Sequence, residues 1–314
     1  MNILVLHSQP KDFESFLTEA TIGHRLHWAT CAQDIPTVLR SASPEIVFSI
    51  KHSEFPGEHH AQALRWPSVK WFQVGGSGTE HLGQWDSERV QVSNSVGVLA
   101  PFHAERAMAA LLSMSTGLST LQKQQAKAIW EPTRFESLEG KTLLILGLGR
   151  TGMELAKRAK SFGLKIIGVS RTPREHPMVD EVFSPKELTK LWSQADILSV
   201  NVPLNSTTRG MIGQDVLSKL PKHCLLLNAS RGGVVDLQAL LDALNREDIS
   251  GAWLDVTDPE PLPPNSPLWH HPRVIITPHC ADQVNDFPLR LARFFVQNLR
   301  RFEIGEPLLN LLER

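Results

Sequence analysis

Three short segments of this sequence carry the side chains that chemistry needs. Asn228-Ala229-Ser230-Arg231-Gly232-Gly233 supplies a cation, Leu254 to Pro263 supplies the carboxylates Asp255, Asp258 and Glu260, and Thr277-Pro278-His279-Cys280-Ala281 supplies an imidazole. Singly, each has an ordinary reading: Arg231 as a surface ion-pair partner, Glu260 as a solvated loop charge, His279 as a core histidine with its bonds satisfied. All three segments lie at or just past the carboxyl end of an expected strand, where ligands sit in open α/β sheets. A fourth segment changes their meaning. Gly147-Leu148-Gly149-Arg150-Thr151-Gly152 follows the apolar run Thr142 to Leu146 and precedes Met153, Leu155, Ala156 and Ala159 at helical spacing. In such a strand–turn–helix unit Gly147 makes the tight turn, Gly149 lets a pyrophosphate approach the backbone, and Gly152 lets the helix pack on the strand. The helix N-terminus offers N–H groups and a positive dipole end to phosphates. A dinucleotide beside a cation, a carboxylate and an imidazole suits hydride transfer to a carbonyl.

The elements that must position these residues follow from periodicity. From residue 141 onward, expected strands at 142–146, 164–169, 196–202, 224–228, 250–254 and 273–277 alternate with helical patterns. That alternation predicts an α/β fold, a doubly wound parallel sheet of the Rossmann kind. Residues 1 to about 97 read as a smaller α/β unit with strands at Ile3–Leu6, Glu45–Ile50 and Val69–Val74. The last of these runs into Gly75-Gly76-Ser77-Gly78, which serves either as a plain strand-to-helix turn or as a nest of N–H groups for a small anion. Between the two units the sequence predicts one long helix from Leu99 to about Lys127, with Ala104, Ala107, Met108, Leu111 and Leu112 as its apolar face; Trp130-Glu131-Pro132 ends it. After Pro288, Leu291 to Phe302 is amphipathic and helical. The expected division is 98–285 for a dinucleotide-binding domain, and 1–97 with 286–314 for a substrate-binding domain.

Composition narrows the class. A net charge of -1 gives no bulk attraction to nucleic acid or to an anionic membrane, and no apolar stretch reaches the length of a membrane span. Met1 to His7 lacks a basic leader and reads as a strand, so the cytoplasm is the expected location. Cys31, Cys224 and Cys280 are odd in number and scattered, which indicates neither a disulfide framework nor a zinc site. The pairs His59-His60 and His270-His271 lack the i, i+4 spacing of a two-histidine site. They are expected to be solvated surface residues, and no metal is expected.

Taken together, Gly147–Gly152, Val202-Pro203-Leu204 with Thr207-Thr208, Asn228–Asp236, Asp255–Pro263 and Thr277–Ala281 resemble the D-isomer-specific 2-hydroxyacid dehydrogenase family. The tail Gly305 to Asn310 resembles the family's ending. Ser170-Arg171-Thr172 and the run at 263–274 are most similar to its glyoxylate/hydroxypyruvate reductase branch. The resemblance implies a smaller, flavodoxin-like α/β substrate domain beside the Rossmann cofactor domain. It also implies a catalytic triad of Arg231, Glu260 and His279 acting on a small 2-oxo acid such as glyoxylate or hydroxypyruvate. In those roles Arg231 forks two N–H bonds to the substrate's carboxylate and carbonyl oxygens. His279 donates a proton to the carbonyl oxygen, and Glu260 holds the second ring nitrogen. The same resemblance places Ser77 and Gly78 N–H groups on the substrate carboxylate and Asp255 on the nicotinamide amide. It adds Val202, Pro203, Ala229, Ser230 and Ala281 to the cofactor site, and it gives Asp258 no role. Two departures flank that site: His103-Ala104-Glu105 at the entry to the long helix, and Ala281-Asp282-Gln283-Val284 without the usual glycine.

Cofactor choice rests on one strand end. A carboxylate at the tip of the second strand of the dinucleotide fold would bond the ribose hydroxyls of NAD and repel a 2′-phosphate. Here the tip is Ser170, followed by Arg171, Thr172 and Arg174. That predicts NADP in preference to NAD, with Arg171 on the phosphate. The family resemblance implies a homodimer through the cofactor domains, with Trp130 near the contact. The rivals are a dinucleotide-sensing regulatory protein on the same fold and a formate or phosphite dehydrogenase.

Overall fold

A computed structural model describes residues 1–52, 54–280 and 283–312. The chain forms two compact units, Met1–Leu99 with Val284–Arg314, and Ala100–Gln283. In the first unit, β1 (Asn2–Leu6), α1 (Glu14–Ala20), β2 (Arg25–Ala29), α2 (Ile35–Ala42), β3 (Ile46–Ser49), α3 (Ala61–Leu64), β4 (Trp71–Val74) and β5 (Gln91–Asn94) follow in order. In the second come α4 (Ala100–Ser115), α5 (Leu118–Ala126), β6 (Thr142–Leu146), α6 (Arg150–Lys160), β7 (Lys165–Val169) and β8 (Glu181–Phe183). They are followed by β9 (Ile197–Val200), α7 (Gln214–Leu217), β10 (Leu225–Asn228), α8 (Leu237–Asn245), β11 (Gly251–Leu254) and β12 (Val274–Ile276). The chain then returns to the first unit with α9 (Phe287–Glu303).

Each unit is built on a parallel sheet, ordered β2-β1-β3-β4-β5 in the first and β12-β11-β10-β9-β6-β7-β8 in the second. Strands covered on both faces need apolar side chains at nearly every position. In β6, Leu143 and Ile145 face the side holding Ala104, Leu111, Leu155 and Ala159, while Leu144 and Leu146 face the side holding Leu198, Leu240 and Leu244. In the first unit α9 closes one face. Phe295 is fully buried and stacks on Phe48 at 4.5 Å and on Trp71 at 5.2 Å. Asn298, also fully buried, bonds the Gln73 side chain at 3.0 Å and takes the Leu309 N–H at 2.8 Å.

The structure departs from the sequence expectations at five places. The expected single helix over 99–127 is two helices, because Gly117 takes a left-handed backbone, φ 66°, after α4. Strands β2, β5 and β8 were not anticipated. β2 lies at a sheet edge and carries polar side chains, and β8 is an edge strand of three residues. The buried Ser93 of β5 is satisfied by the Trp71 indole at 2.8 Å and by Gln73 at 2.7 Å, so it shows no apolar run. Finally, His60 is not a solvated residue: it is fully buried, with Nδ1 2.6 Å from Ser49 Oγ. Among the described residues no group of three or more His, Cys, Asp or Glu is placed to hold a metal, and no helix is long and apolar enough to cross a membrane.

Burial gives the first unit a pH-dependent stability. It pushes His7 down to about 4 and His60 down to about 3, with help from neighbouring cationic groups. In the unfolded chain both titrate near 6.5, so below that pH the unfolded state binds protons that the folded state refuses. Their stabilisation is complete above the unfolded value and is lost as pH falls towards 4. The thermal midpoint should fall between pH 7 and pH 5, before most carboxylates titrate; a flat midpoint over that window would contradict the burial argument.

Candidate active site

The glycine-rich turn has the geometry of a phosphate cradle. Gly147 is left-handed, φ 97°, and a Cβ there would lie 2.5 Å from the Asn201 carbonyl oxygen at the end of the neighbouring strand. A Cβ on Gly152 would run into the Gly147 carbonyl, so this glycine sets the seating of α6 on β6. Gly149 has nothing within 4 Å of a built Cβ, which leaves open space in front of the turn. It is also the N-cap of α6, and no side chain among the described residues caps the helix, so the first-turn N–H groups of Arg150, Thr151 and Gly152 face an anion site. Leu148 lies over Gly168, where a Cβ would meet Leu148 Cδ1 at 2.5 Å. These residues suit a dinucleotide pyrophosphate.

The tip of β7 holds Ser170, whose hydroxyl donates to the Thr172 carbonyl at 3.3 Å. Arg171 and Arg174 beyond it are exposed and carry no ion pair among the described residues. Val202 and Pro203 follow β9. The Val202 side chain lies at Gly147, and Thr208 donates to the Pro203 carbonyl at 2.6 Å, which closes that loop on itself.

The loops after β10, β11 and β12 are tied to one another. Buried Asn228 ends β10; its Oδ1 accepts from the Ser230 N–H and hydroxyl at 3.1 and 2.9 Å, and its Nδ2 reaches the Arg231 carbonyl at 3.3 Å. Arg231 Nη1 donates to the Ser230 carbonyl at 2.8 Å. A Cβ on Gly232 would collide with the Thr257 carbonyl, so the Arg231 loop and the Glu260 loop meet backbone to backbone. Glu260 uses both oxygens. Oε1 accepts the Thr257 N–H at 3.1 Å, and Oε2 lies 3.0 Å from His279 Nδ1. The Glu260 and His279 side chains are about half exposed, which leaves the other ring nitrogen of His279 accessible to a ligand.

Three residues support this arrangement in ways the sequence did not signal. Asp255, 2% exposed, accepts the Thr277 hydroxyl and the Cys280 N–H (3.2 Å) at Oδ1, while its carbonyl takes the His279 N–H at 2.8 Å. Its expected place in the cofactor site therefore comes with a structural task. Arg106 of α4 reaches the Cys280 carbonyl at 3.4 Å, and Asp258 pairs with Arg209 at 3.3 Å. Arg106 sits in an ordinary helical pattern, and the family resemblance gives Asp258 no role. Ala281, and with it Asp282, lies outside the described residues. In the first unit, Ser77 and Gly78 lie in the loop after β4. The Ser77 carbonyl takes the Asn94 amide at 3.0 Å, and a Cβ on Gly76 would meet nothing within 4 Å.

A family profile described as D-isomer specific 2-hydroxyacid dehydrogenase, NAD binding domain, matches residues 108–281. The chain belongs to that family. As a 2-hydroxyacid dehydrogenase it is an oxidoreductase, and its nicotinamide-dinucleotide-binding domain is the unit that carries the glycine turn. A glyoxylate reductase from Thermococcus litoralis is 35% identical over 236 residues, 72% of this chain and 70% of that one. The crystal structure of a D-isomer specific 2-hydroxyacid dehydrogenase family protein from Aeromonas salmonicida superposes with a TM-score of 0.89 at 30% identity, covering 99% of this chain and 98% of that one. A D-isomer specific 2-hydroxyacid dehydrogenase from Xanthobacter autotrophicus, in complex with NADPH and MES, does so with a TM-score of 0.80 at 28% identity, over 99% and 98%. The dehydrogenase thus shares the two-sheet α/β architecture of its relatives.

Proposed function

We propose that this dehydrogenase reduces a small 2-oxo acid of the glyoxylate or hydroxypyruvate type to the 2-hydroxy acid, with NADPH as the preferred cofactor. The observation that carries the reading is the Glu260–His279 contact, with Glu260 itself fixed by the Thr257 N–H. NADPH, when bound, supplies the hydride that reaches the carbonyl carbon. Arg231 forks to the substrate's carboxylate and carbonyl oxygens, orienting it and polarising the carbonyl. His279, held at Nδ1 by Glu260, gives the proton on Nε2 to the carbonyl oxygen, and the Glu260 carboxylate stabilises the imidazolium before that transfer. The Ser77 and Gly78 N–H groups take the substrate carboxylate.

Gly147, Leu148, Gly149, Arg150, Thr151 and Gly152 hold the pyrophosphate; Val202, Pro203, Ala229, Ser230 and Asp255 complete the nicotinamide side. Support for NADPH comes from Ser170, which puts no carboxylate at the tip of β7, and from the exposed Arg171 beside it. The relative from Xanthobacter bound to NADPH is consistent with the choice. A homodimer fits an apolar surface along the second unit: α5 buries no residue, and Ile129, Trp130 and Phe135 are exposed, Trp130 by 99%.

Two measurements test these readings. Assays of glyoxylate and hydroxypyruvate by loss of NADPH and of NADH absorbance should give turnover with a higher kcat/KM for NADPH, and Ser170→Asp with Arg171→Ala should shift the preference towards NADH. A wild-type preference for NADH would overturn the cofactor assignment, and no turnover of either acid would overturn the substrate class. Sedimentation at micromolar concentration should show a dimer that Trp130→Ala weakens; a stable wild-type monomer would exclude it.

A further inference from the structure

In the first unit the order β2-β1-β3-β4-β5 reverses between β1 and β3, and parallel sheets bind ligands outside the carboxyl ends of their strands at such a switch point. Here the two sides of that crevice are His7-Ser8 after β1 and Lys51-His52 after β3. Ser8 Oγ and His52 Nδ1 bridge it at 2.7 Å. The side chains present hydrogen-bond donors. His7 Nδ1 accepts the Gln9 N–H at 3.0 Å, which leaves the proton of the neutral ring on Nε2. His52 Nδ1 accepts the Glu54 N–H at 3.3 Å, which leaves its proton on Nε2 as well. His7 is 1% exposed, and its Nε2 has no hydrogen-bond partner among the described residues; the same holds for the Nε2 atoms of His60 and His81 nearby.

Lys51 adds the charge. It is exposed, and it forms no ion pair among the described residues. Its stem crosses Gly57, where a Cβ would come within 2.8 Å of Lys51 Cγ and 2.7 Å of His81 Cδ2. His81 stands three residues past Gly78, so Lys51 runs beside the segment that follows the Ser77–Gly78 loop. Its ammonium helps to hold His81 low, second to burial, and is the smallest of the influences that lower His60. Carboxylates oppose it: Asp12 is the smallest influence on His7, and Glu80 and Glu58 follow Lys51 at His81. An exposed cation at Lys51 beside the His52 Nε2–H, at the switch-point edge of a parallel sheet, suits an anion.

We propose that this edge binds a second acidic group, so that 2-oxo dicarboxylic acids join glyoxylate and hydroxypyruvate as substrates and are reduced in preference to 2-oxo acids with an apolar end, with Lys51 and His52 as the specificity-determining residues. The inference rests on the reading of the chain as a 2-oxo-acid reductase with the first carboxylate on the Ser77–Gly78 loop. It goes beyond that reading in naming where the far end of the substrate is held and by what chemistry. A charge-assisted bond at the distal carboxylate raises kcat/KM for the diacid, mainly through KM, and does nothing for a substrate that ends in a methyl group.

The test uses the full chain with NADPH and five substrates: glyoxylate, pyruvate, hydroxypyruvate, oxaloacetate and 2-oxoglutarate. The better diacid should exceed pyruvate in kcat/KM by about ten-fold or more, and Lys51→Met should remove most of that ratio, since hydrogen bonds to charged groups are worth about one power of ten or more in affinity. His52→Phe should lower the same ratio. Equal losses on pyruvate and diacid in these variants would make Lys51 and His52 supports of the fold and overturn the proposal. So would a preference for hydroxypyruvate without one for either diacid. Turnover of glyoxylate with no diacid preference removes this inference alone, whereas failure with all five acids removes the reductase reading and the inference with it.

Discussion

The carboxyl edge of the sheet in the second unit depends on the backbone of one residue. His279 has a φ of 49°, a left-handed conformation that costs a non-glycine residue about 1–2 kcal/mol. The cost is met by bonds to Asp255, whose carbonyl holds the His279 N–H and whose side chain holds the Cys280 N–H and the Thr277 hydroxyl. The Trp253 indole donates to that hydroxyl at 3.0 Å, so its proton is directed to Asp255. With the backbone turned in this way, the imidazole faces Glu260. Asp255 is anchored in turn by its own N–H on the Asn228 carbonyl, one strand along. The strand ends, the turned histidine and the carboxylate form one connected set.

The first unit follows a different economy of polar groups. Its sheet is closed by α9 through stacked aromatic rings and a satisfied Asn298, so its interior is ordinary. Its carboxyl edge is not. Three imidazole nitrogens, on His7, His60 and His81, are buried there without a hydrogen-bond partner among the described residues, and burial keeps His7 and His60 neutral at physiological pH. Unsatisfied buried donors are destabilising, and they persist where a ligand completes them or where function keeps them.

Much of this was legible in the sequence because local chemistry and periodicity agree. The strand, the spacing of Gly147, Gly149 and Gly152, and the helix that follows are a single local unit, and each glycine meets a steric demand within it. Arg231, Glu260 and His279 stand just past strand ends, where ligands sit in open α/β sheets. What escaped was non-local. Asp255's grip on residues 277–280 joins positions far apart in sequence, and Arg106 reaches Cys280 from a helix whose pattern only shows an apolar face. The buried strand β5 looked polar because its Ser93 is satisfied by partners on β4. His60 read as a surface residue because neither its burial nor its Ser49 partner leaves a trace in spacing. The break at Gly117 was readable in principle, since a glycine in a helical run is a candidate stop.

The central claim is that His279, turned by Asp255 and held by Glu260, delivers the proton during 2-oxo-acid reduction. The most direct test is His279→Ala, measured both for steady-state kcat and for NADPH affinity by fluorescence titration. A general acid of this kind is worth about 10²–10⁴ in rate, so kcat should fall by that order while the NADPH Kd stays unchanged. Near-normal turnover in the variant would remove His279 from the reaction and contradict the account.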